Sequence, residues 1–529
     1  MTTDVVIVGG GPNGLLMACE LALAGVRAAV LERLPERATA PKANGLVGRV
    51  VQALDYRDLY QRFTGSSRPP VPVPGFQFGA LPLNLSALEG NALYALPIPQ
   101  RRMEELLEER ARELGAQIRR GHELVTVHQT ADMVTAGVRG PGGRYELTAK
   151  FLVGADGAHS IVRKCCGIDF PGITDRGFVS RSGQVAIHPP VAIPGTGELH
   201  VPGAGRFRPA TFTRTENGLF AYGMFRPGLY RVAVHEWVSS PLEDSTSMPL
   251  EELRAAVQRV IGGDVPMSEP ADGEPSALRR STGANSRQAE RYRHGRVFLA
   301  GDAAHVHSGV GGPGLNLGLQ DVLNLGWKLA AAVNGWAPPG LLGTYQDERH
   351  PVGERVIMHT RAQTALLSPG ANITALRELF TELLREQSTL RHITNLMAGS
   401  DVHYGTPTAG PAHAMTGKWM PDITLHTANG STRIAELLRA ARPILLTLTG
   451  RTDLAEAAEP WSGRVDVITA TTAEPPAEAV LIRPDGYVAW AAGNGTPAPA
   501  DGLREALQTW FGSPAHEPSG RNRNAVPTC

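Results

Sequence analysis

Between Asp4 and Glu32 the apolar positions change period twice. Residues 4–8 (DVVIV) form a short continuous run, as buried parallel strands do. Leu15, Leu16, Cys19, Leu21, Ala22 and Leu23 then follow a helical period, and a second run from Ala28 to Leu31 ends at Glu32. The segment therefore predicts one βαβ unit. Residues 101–114 (RRMEELLEERAREL) place Met103, Leu106, Leu107, Ala111 and Leu114 on one stripe, with Gly115 as the expected stop. Residues 123–152 alternate like antiparallel strands around a GPGG turn at 140–143 and end in the buried run of FLVGAD.

From about 170 to 290 the chain turns to alternating polar and apolar runs rich in glycine and proline, such as GQVAIHP, ATFTRTENGLFAYGMF and YRVAVHEWV. These predict a mostly β unit. The α/β character returns at 296–301 (RVFLAG), followed by a glycine-rich loop, a long helix from about 315 to 334, and further helices to about 398. Residues 399–418 are a Gly/Pro/Thr-rich linker. Beyond it, PILLTLTG, RVDVITA, AVLIRPDGYVAWA and ADGLREALQTWFG predict a small β/α domain at 419–515, with 516–529 as a disordered tail. The expected division is thus a discontinuous first domain (1–169 and 291–398), a β-rich second domain (170–290), the linker and the C-terminal domain. No internal repeat is evident.

Composition narrows the function classes. A chain of 529 residues needs more than one core, and its 42% apolar content is ordinary for a globular protein. Lys+Arg and Asp+Glu are 51 each, so there is no basic excess for nucleic acid or an anionic membrane surface. The four cysteines include no CxxC pair, which suits a reduced compartment. The N-terminus reads as a strand rather than a signal peptide, and no uncharged apolar run reaches spanning length, so a cytoplasmic protein is expected.

The first chemical signal is Gly9-x-Gly11-x-x-Gly14, between a strand and a helix, with Glu32 eighteen residues beyond Gly14. Gly9 permits the tight turn, Gly11 lets backbone approach a pyrophosphate, and Gly14 allows close helix–strand packing. The helix N-terminus offers amides and partial positive charge to phosphates, and Glu32 can accept ribose hydroxyls. Two later segments separate the candidate dinucleotides: Gly154-Ala155-Asp156-Gly157-Ala158-His159-Ser160-Ile161-Val162-Arg163, and Gly301-Asp302-Ala303-Ala304-His305 with its following glycine loop and helix.

With these three motifs in order, the sequence resembles the flavoprotein aromatic hydroxylases related to p-hydroxybenzoate hydroxylase, over nearly the whole chain. It looks closest to their large branch acting on polycyclic aromatic polyketides of the angucycline and anthracycline type. The resemblance implies an α/β fold: a Rossmann-like FAD-binding domain, a mostly β substrate domain and a C-terminal thioredoxin-like domain. It implies cofactor contacts at Gly9, Gly11, Asn13, Gly14, Glu32, Arg33, Lys42, Gln100, Leu124, Asp302, Gly314, Leu315 and Asn316. Lys42 stands where the family usually has Arg, and Lys lacks the guanidinium fork. Asp156 either caps a turn or positions the cofactor. The amides of Leu315 and Asn316 would face the flavin pyrimidine edge, where a helix dipole stabilises negative charge on the reduced ring.

Gly309, Gly311 and Gly312 form the expected reaction face. Gly309 replaces a common proline, and Pro313 replaces a common glutamine, removing one amide and biasing Gly312 away from helix. The implied reaction uses NADPH or NADH and O₂, with a C4a-hydroperoxide of FAD hydroxylating a bulky polycyclic aromatic substrate in antibiotic-type metabolism. The β domain would roof a dry cavity. Tyr222, Met224 and Phe225 are candidates either for its lining or for ordinary core packing. No catalytic base is nameable. Baeyer–Villiger-type insertion, ring opening or rearrangement is an alternative, and a non-catalytic flavin scaffold is another. His305 and His307 lack further ligands at metal spacing, so no metal is expected. The C-terminal domain has no cysteine before Cys529 and cannot exchange disulfides. A monomer or homodimer is expected.

Overall fold

Continuous apolar runs require cover on both faces, and both N-terminal runs receive it. In the computed structural model they are the paired parallel strands Val5–Val8 and Ala28–Glu32. The structure describes residues 3–37, 43–226, 228–240, 242–245, 247–270, 276–310, 312–405, 412–493, 496 and 499–514. Lys42, Gly311, the tail 516–529 and the side chain of Phe225 lie outside the described residues.

The central sheet has six strands in the order Arg293–His294, Val297–Leu299, Phe151–Gly154, Val5–Val8, Ala28–Glu32, Gln117–Arg120. All neighbours are parallel except the first pair. The helices Pro12–Leu23, Gln100–Glu113 and Pro313–Val333 bury Leu15, Leu16, Met103, Leu107, Leu319 and Val322 in one core with it. Each such side chain contributes about 1.5–3 kcal/mol. The strands Glu123–Gln129, Val134–Gly140 and Gly143–Ala149 form the expected antiparallel sheet and insert Val134, Ala136 and Val138 into the same core.

A seven-stranded antiparallel sheet occupies the β-rich segment, including Gly218–Arg226, Leu229–Trp237, Gly172–Ile187 and Arg279–Gln288. The helix Leu250–Ile261, with Glu251 and Glu252 in its first turn and Arg259 in its last, complements its own dipole. It covers one face over Phe220, Tyr222, Val232 and Val234. The sheet's final strand is His305–Val306, paired with Arg287 and Gln288. That strand follows the α/β segment that begins at 296 in sequence, so the glycine loop after it grows directly out of the β-rich sheet.

The C-terminal segment holds a four-stranded sheet ordered Asp466–Thr469, Ile444–Thr447, Ala479–Ile482, Val488–Ala492, parallel at the first pair and antiparallel thereafter. The helix Pro499–Phe511 packs Trp510 and Phe511 with Trp327 of the helix Pro313–Val333. Among the described residues no helix is long and apolar enough to cross a membrane.

Candidate functional site

The glycine motif behaves as its spacing predicts. Gly9 has φ +108°, and a Cβ there would lie 2.3 Å from the Ala155 carbonyl oxygen. At Gly14 a Cβ would fall 1.9 Å from the Gly9 carbonyl oxygen, so this glycine packs behind the turn. Gly11 differs, because a Cβ there would meet nothing within 4 Å. It is the N-cap of the helix Pro12–Leu23, with no side-chain cap and Pro12 at the start. The first-turn amides therefore lack a side-chain partner and face a cavity of about 1370 Å³.

One end of that cavity is lined by Glu32, Arg33, Gln100 and Leu124. Glu32 is held by the amides of Gly10, 2.7 Å from Oε2, and Leu34, 2.8 Å from Oε1, which leaves lone pairs on both oxygens. Gln100 is oriented by its Nε2, 2.7 Å from Glu104 Oε1. Asp156 caps the helix Ile161–Cys165 through its Oδ2, 2.7 Å from the Ile161 amide, yet it also lines the cavity. Its Oδ1 is buried without a partner among the described residues, and burial raises its pKa. Arg163 ties two motifs together, donating to the Ala303 carbonyl at 2.9 Å and the Ala158 carbonyl at 3.0 Å.

Asn13, Asp302, Gly309, Gly312, Gly314 and Leu315 line the middle of the cavity. Gly312 adopts φ +72° and Pro313 opens the helix Pro313–Val333, so the two departures together form a left-handed cap followed by a helix start. No side chain caps this N-terminus either. Asn316 does not line the cavity. Its side chain instead holds the loop, accepting from the Val47 amide at 3.0 Å and donating to the Gly312 carbonyl at 2.6 Å. Two helix starts without side-chain caps, the open space at Gly11, and Asn13 Oδ1 and Asp156 Oδ1, both without partners among the described residues, fit an adenine dinucleotide with a ring at its far end.

The far wall was not foreseen. Tyr222, a candidate for it, is 4% exposed within the core under the helix Leu250–Ile261. Its hydroxyl donates to the Phe207 carbonyl at 2.7 Å and accepts from the Leu199 amide. Met224 shares that side of the strand and packs where a Gly197 Cβ would point. Neither lines the cavity: the helix Leu250–Ile261 covers Tyr222, and Met224 lies farther along the same face, beside Gly197 and partly exposed to solvent. Alternation turns Ala221 to the other side, in register with Phe212, which does line it.

Phe76, Gln77, Gly79 and Ala80 complete the wall from the hairpin Gly75–Phe78/Leu81–Asn84. Gly79 (φ +55°) and Ala80 (φ +58°) make its two-residue turn. The FQF-GA-LPLN alternation was a legible signal for it. Gln77 pins the hairpin to the sheet edge, accepting from the Phe212 amide at 3.2 Å and donating to the Ala210 carbonyl at 3.3 Å. Gln363 of the helix Thr344–Leu367 accepts from the Gly79 amide at 3.1 Å.

Behind the loop runs a buried ionic chain. His305 Nε2 lies 2.6 Å from Asp321 Oδ2, and Arg349 Nε lies 2.7 Å from Asp321 Oδ1. Burial alone would raise Asp321; Arg349 and His305 outweigh it and hold the carboxyl below its usual range. His307 and His359, near the far wall, are both pushed down to about 4, chiefly by burial.

Comparison with known proteins agrees with this geometry. A family profile described as "FAD binding domain" matches residues 2–360, and one described as "Aromatic-ring hydroxylase, C-terminal" matches 413–514. The chain is 43% identical to a 12-dehydrotetracycline 5-monooxygenase/anhydrotetracycline 6-monooxygenase of Streptomyces rimosus, covering 97% of this chain and 100% of that one. It is 38% identical to a dialkyldecalin synthase of Streptomyces rugosporus, covering 97% and 100%. The solved structure of CabE, described as an aromatic hydroxylase from angucycline biosynthesis, superposes with TM-score 0.84 at 37% identity, covering 97% of this chain and 100% of that chain.

Proposed function

The chain belongs to the FAD-binding aromatic-ring hydroxylase family, and from that premise we propose that it hydroxylates a polycyclic aromatic polyketide as an NAD(P)H-dependent monooxygenase. The observation that carries this reading is one continuous cavity among the described residues. At about 1370 Å³ it exceeds the range of about 300–1,000 Å³ usual for one small-molecule site. It runs from Glu32, past two uncapped helix starts, to the wall of Phe76, Phe212 and Gln363. That length suits a dinucleotide followed by a second, larger ring system.

Bound FAD supplies the redox chemistry, taking reducing equivalents from NAD(P)H and activating O₂ toward an electron-rich ring. The protein's part is to bind, orient and exclude water. Gly11 and the amides after it would hold the pyrophosphate, Glu32 and Arg33 the adenosine ribose, and Asp302 the ribityl chain. The start of the helix Pro313–Val333, with Gly314 and Leu315 on the cavity, would stabilise negative charge on the reduced ring. The hairpin at 75–84 and the helix Thr344–Leu367 roof the space over the loop, which keeps water from the reacting atoms.

The layout we assign is an FAD-binding domain of 1–169 and 291–398, a substrate domain of 170–290, a linker of 399–418 and a thioredoxin-like domain of 419–515 without redox function. A cytoplasmic monomer or homodimer completes the reading. A non-catalytic scaffold is not favoured, since monooxygenases stand among the relatives, and ring insertion is not favoured, since similar solved structures are described as hydroxylases. Oxygen uptake by the FAD-loaded protein with NADPH, across a panel of angucycline- and tetracycline-type quinones, tests the function. Substrate-stimulated uptake and a product heavier by one oxygen atom are expected. Binding without any uptake would overturn it in favour of the scaffold.

A further inference from the structure

One imidazole on the cavity wall has its bonding half complete. His307 Nδ1 lies 3.0 Å from the Ser308 carbonyl oxygen. A carbonyl oxygen only accepts, so Nδ1 carries the proton and Nε2 presents a bare lone pair. That Nε2 is buried and has no hydrogen-bond partner among the described residues, a costly condition that an arriving donor relieves. Two neighbouring groups are committed in part. His305, whose ring centroid is 6.5 Å away in a stacked arrangement, has its Nε2 bound to Asp321, while its own Nδ1 is likewise buried without a partner among the described residues. Gln363 is held by the Gly79 amide and by His359 Nδ1, 3.2 Å from its Nε2. His307 Nε2 lies beside the start of the helix Pro313–Val333, where a Cβ on Gly314, itself a cavity-lining residue, would lie 3.7 Å from it.

We propose that His307 Nε2 accepts the hydrogen bond of a phenolic hydroxyl on the bound polycyclic substrate, which makes His307 a catalytic residue; this rests on the substrate class proposed above. A phenol that donates to a lone pair gains electron density on oxygen and on its ortho and para carbons, the positions an electrophilic oxygen attacks. The proton stays on the phenol. Burial holds the imidazolium near pKa 4, whereas a phenol ionises near pKa ~10, so the pair remains O–H···N. His307 thereby orients and enriches the ring without becoming charged inside a dry cavity.

The test uses oxidised FAD-loaded protein without NADPH, titrated with β-hydroxyanthraquinone and with its methyl ether, which cannot donate. Wild type should prefer the phenol by at least tenfold in Kd. His307→Phe should bring the two ligands within about twofold, and His307→Gln, which keeps an acceptor oxygen, should retain part of the preference. FAD affinity should change by less than about twofold in both variants. No preference in wild type overturns the proposal whatever the variants do. Preference surviving in His307→Phe, or loss of FAD in place of discrimination, overturns it too, the latter assigning the lone pair to a flavin N–H. Failure of both ligands to bind removes the substrate class and this proposal with it, whereas binding without discrimination removes this proposal alone.

Discussion

At the scale of single residues, the two inner glycines of the turn separate folding from binding. Gly11 has ordinary extended backbone and open space around it, while Gly14 is pressed against the Gly9 carbonyl. Gly14→Ala should therefore lower stability by about 1–3 kcal/mol, read as a fall in Tm of the apoprotein. Gly11→Ala should leave that Tm unchanged and weaken FAD by at least about tenfold, or about 1.4 kcal/mol, because its methyl would occupy the pyrophosphate's place. Equal Tm losses in both would refute the distinction. His359 makes a second prediction at this scale. It is 3% exposed, and burial pushes its pKa down to about 4 from the ordinary imidazole value of 6.5. Between those values the unfolded chain binds a proton that the folded chain refuses. Its share of stability is thus complete above pH 6.5 and is lost as pH falls toward 4, by about 2 kcal/mol at pH 5. Burial acts in the same direction on His235 and His307. Thermal melts at pH 7 and pH 5 should show a smaller Tm drop for His359→Gln than for wild type; an unchanged drop would exonerate His359.

At the scale of elements, close approach decides the geometry of the site. The helices Pro12–Leu23 and Pro313–Val333 pack together through Gly318, where a Cβ would lie 2.5 Å from Asn13 Nδ2 and 2.9 Å from the Gly301 Cα. Gly318→Ala should cost about 1–3 kcal/mol and loosen FAD, since it displaces Asn13 and the turn before Asp302 together. Intact FAD affinity alongside a lowered Tm would show that the two helices tolerate separation. This contact also marks where sequence reading stopped. The βαβ unit, the stripe at 101–114 and the antiparallel segment 123–149 were legible because each is specified by its own neighbours in the chain. The strand at 218–226 was legible as a strand but not in facing. Both of its faces carry apolar residues, Phe220 and Tyr222 against Leu219 and Ala221, and only the packing of the helix Leu250–Ile261 shows which of them lies beneath it. The pairing of the two-residue strand His305–Val306 with Arg287 and Gln288, and the chain His305–Asp321–Arg349, join residues distant in sequence, and no local period announces them.

At the scale of the whole molecule, the C-terminal unit is a clamp on the helix Pro313–Val333, whose first turn lines the cavity. Arg483 reaches from it to the helix Thr344–Leu367, with Nη1 2.6 Å and Nη2 2.8 Å from the two oxygens of Glu348. Its Nε donates to Asp485 Oδ1 at 3.0 Å. Lys328, on the same helix as Gly314 and Leu315, donates to Glu348 Oε2 at 2.7 Å. Two cations and two carboxylates thus neutralise one another where none is appreciably exposed. Arg57 reinforces the join, pairing with Glu20 and donating to the Leu438 carbonyl at 3.0 Å and the Pro484 carbonyl at 2.7 Å. Glu348→Ala leaves the cluster with one uncompensated buried positive charge, for which about 3–5 kcal/mol of destabilisation is expected. Lys328 should respond further. Burial already brings it down to about 8, with Glu348 opposing that fall, so the variant's Lys328 should ionise only below a still lower pH. The unfolded chain then binds one more proton than the folded chain over a wider range. Stability of Glu348→Ala should accordingly begin to rise with pH well below 8, where wild type has little such slope. Denaturant melts from pH 6 to pH 9 read both effects at once, and a variant curve parallel to wild type would mean that Glu348 is not the counter-charge that keeps Lys328 protonated.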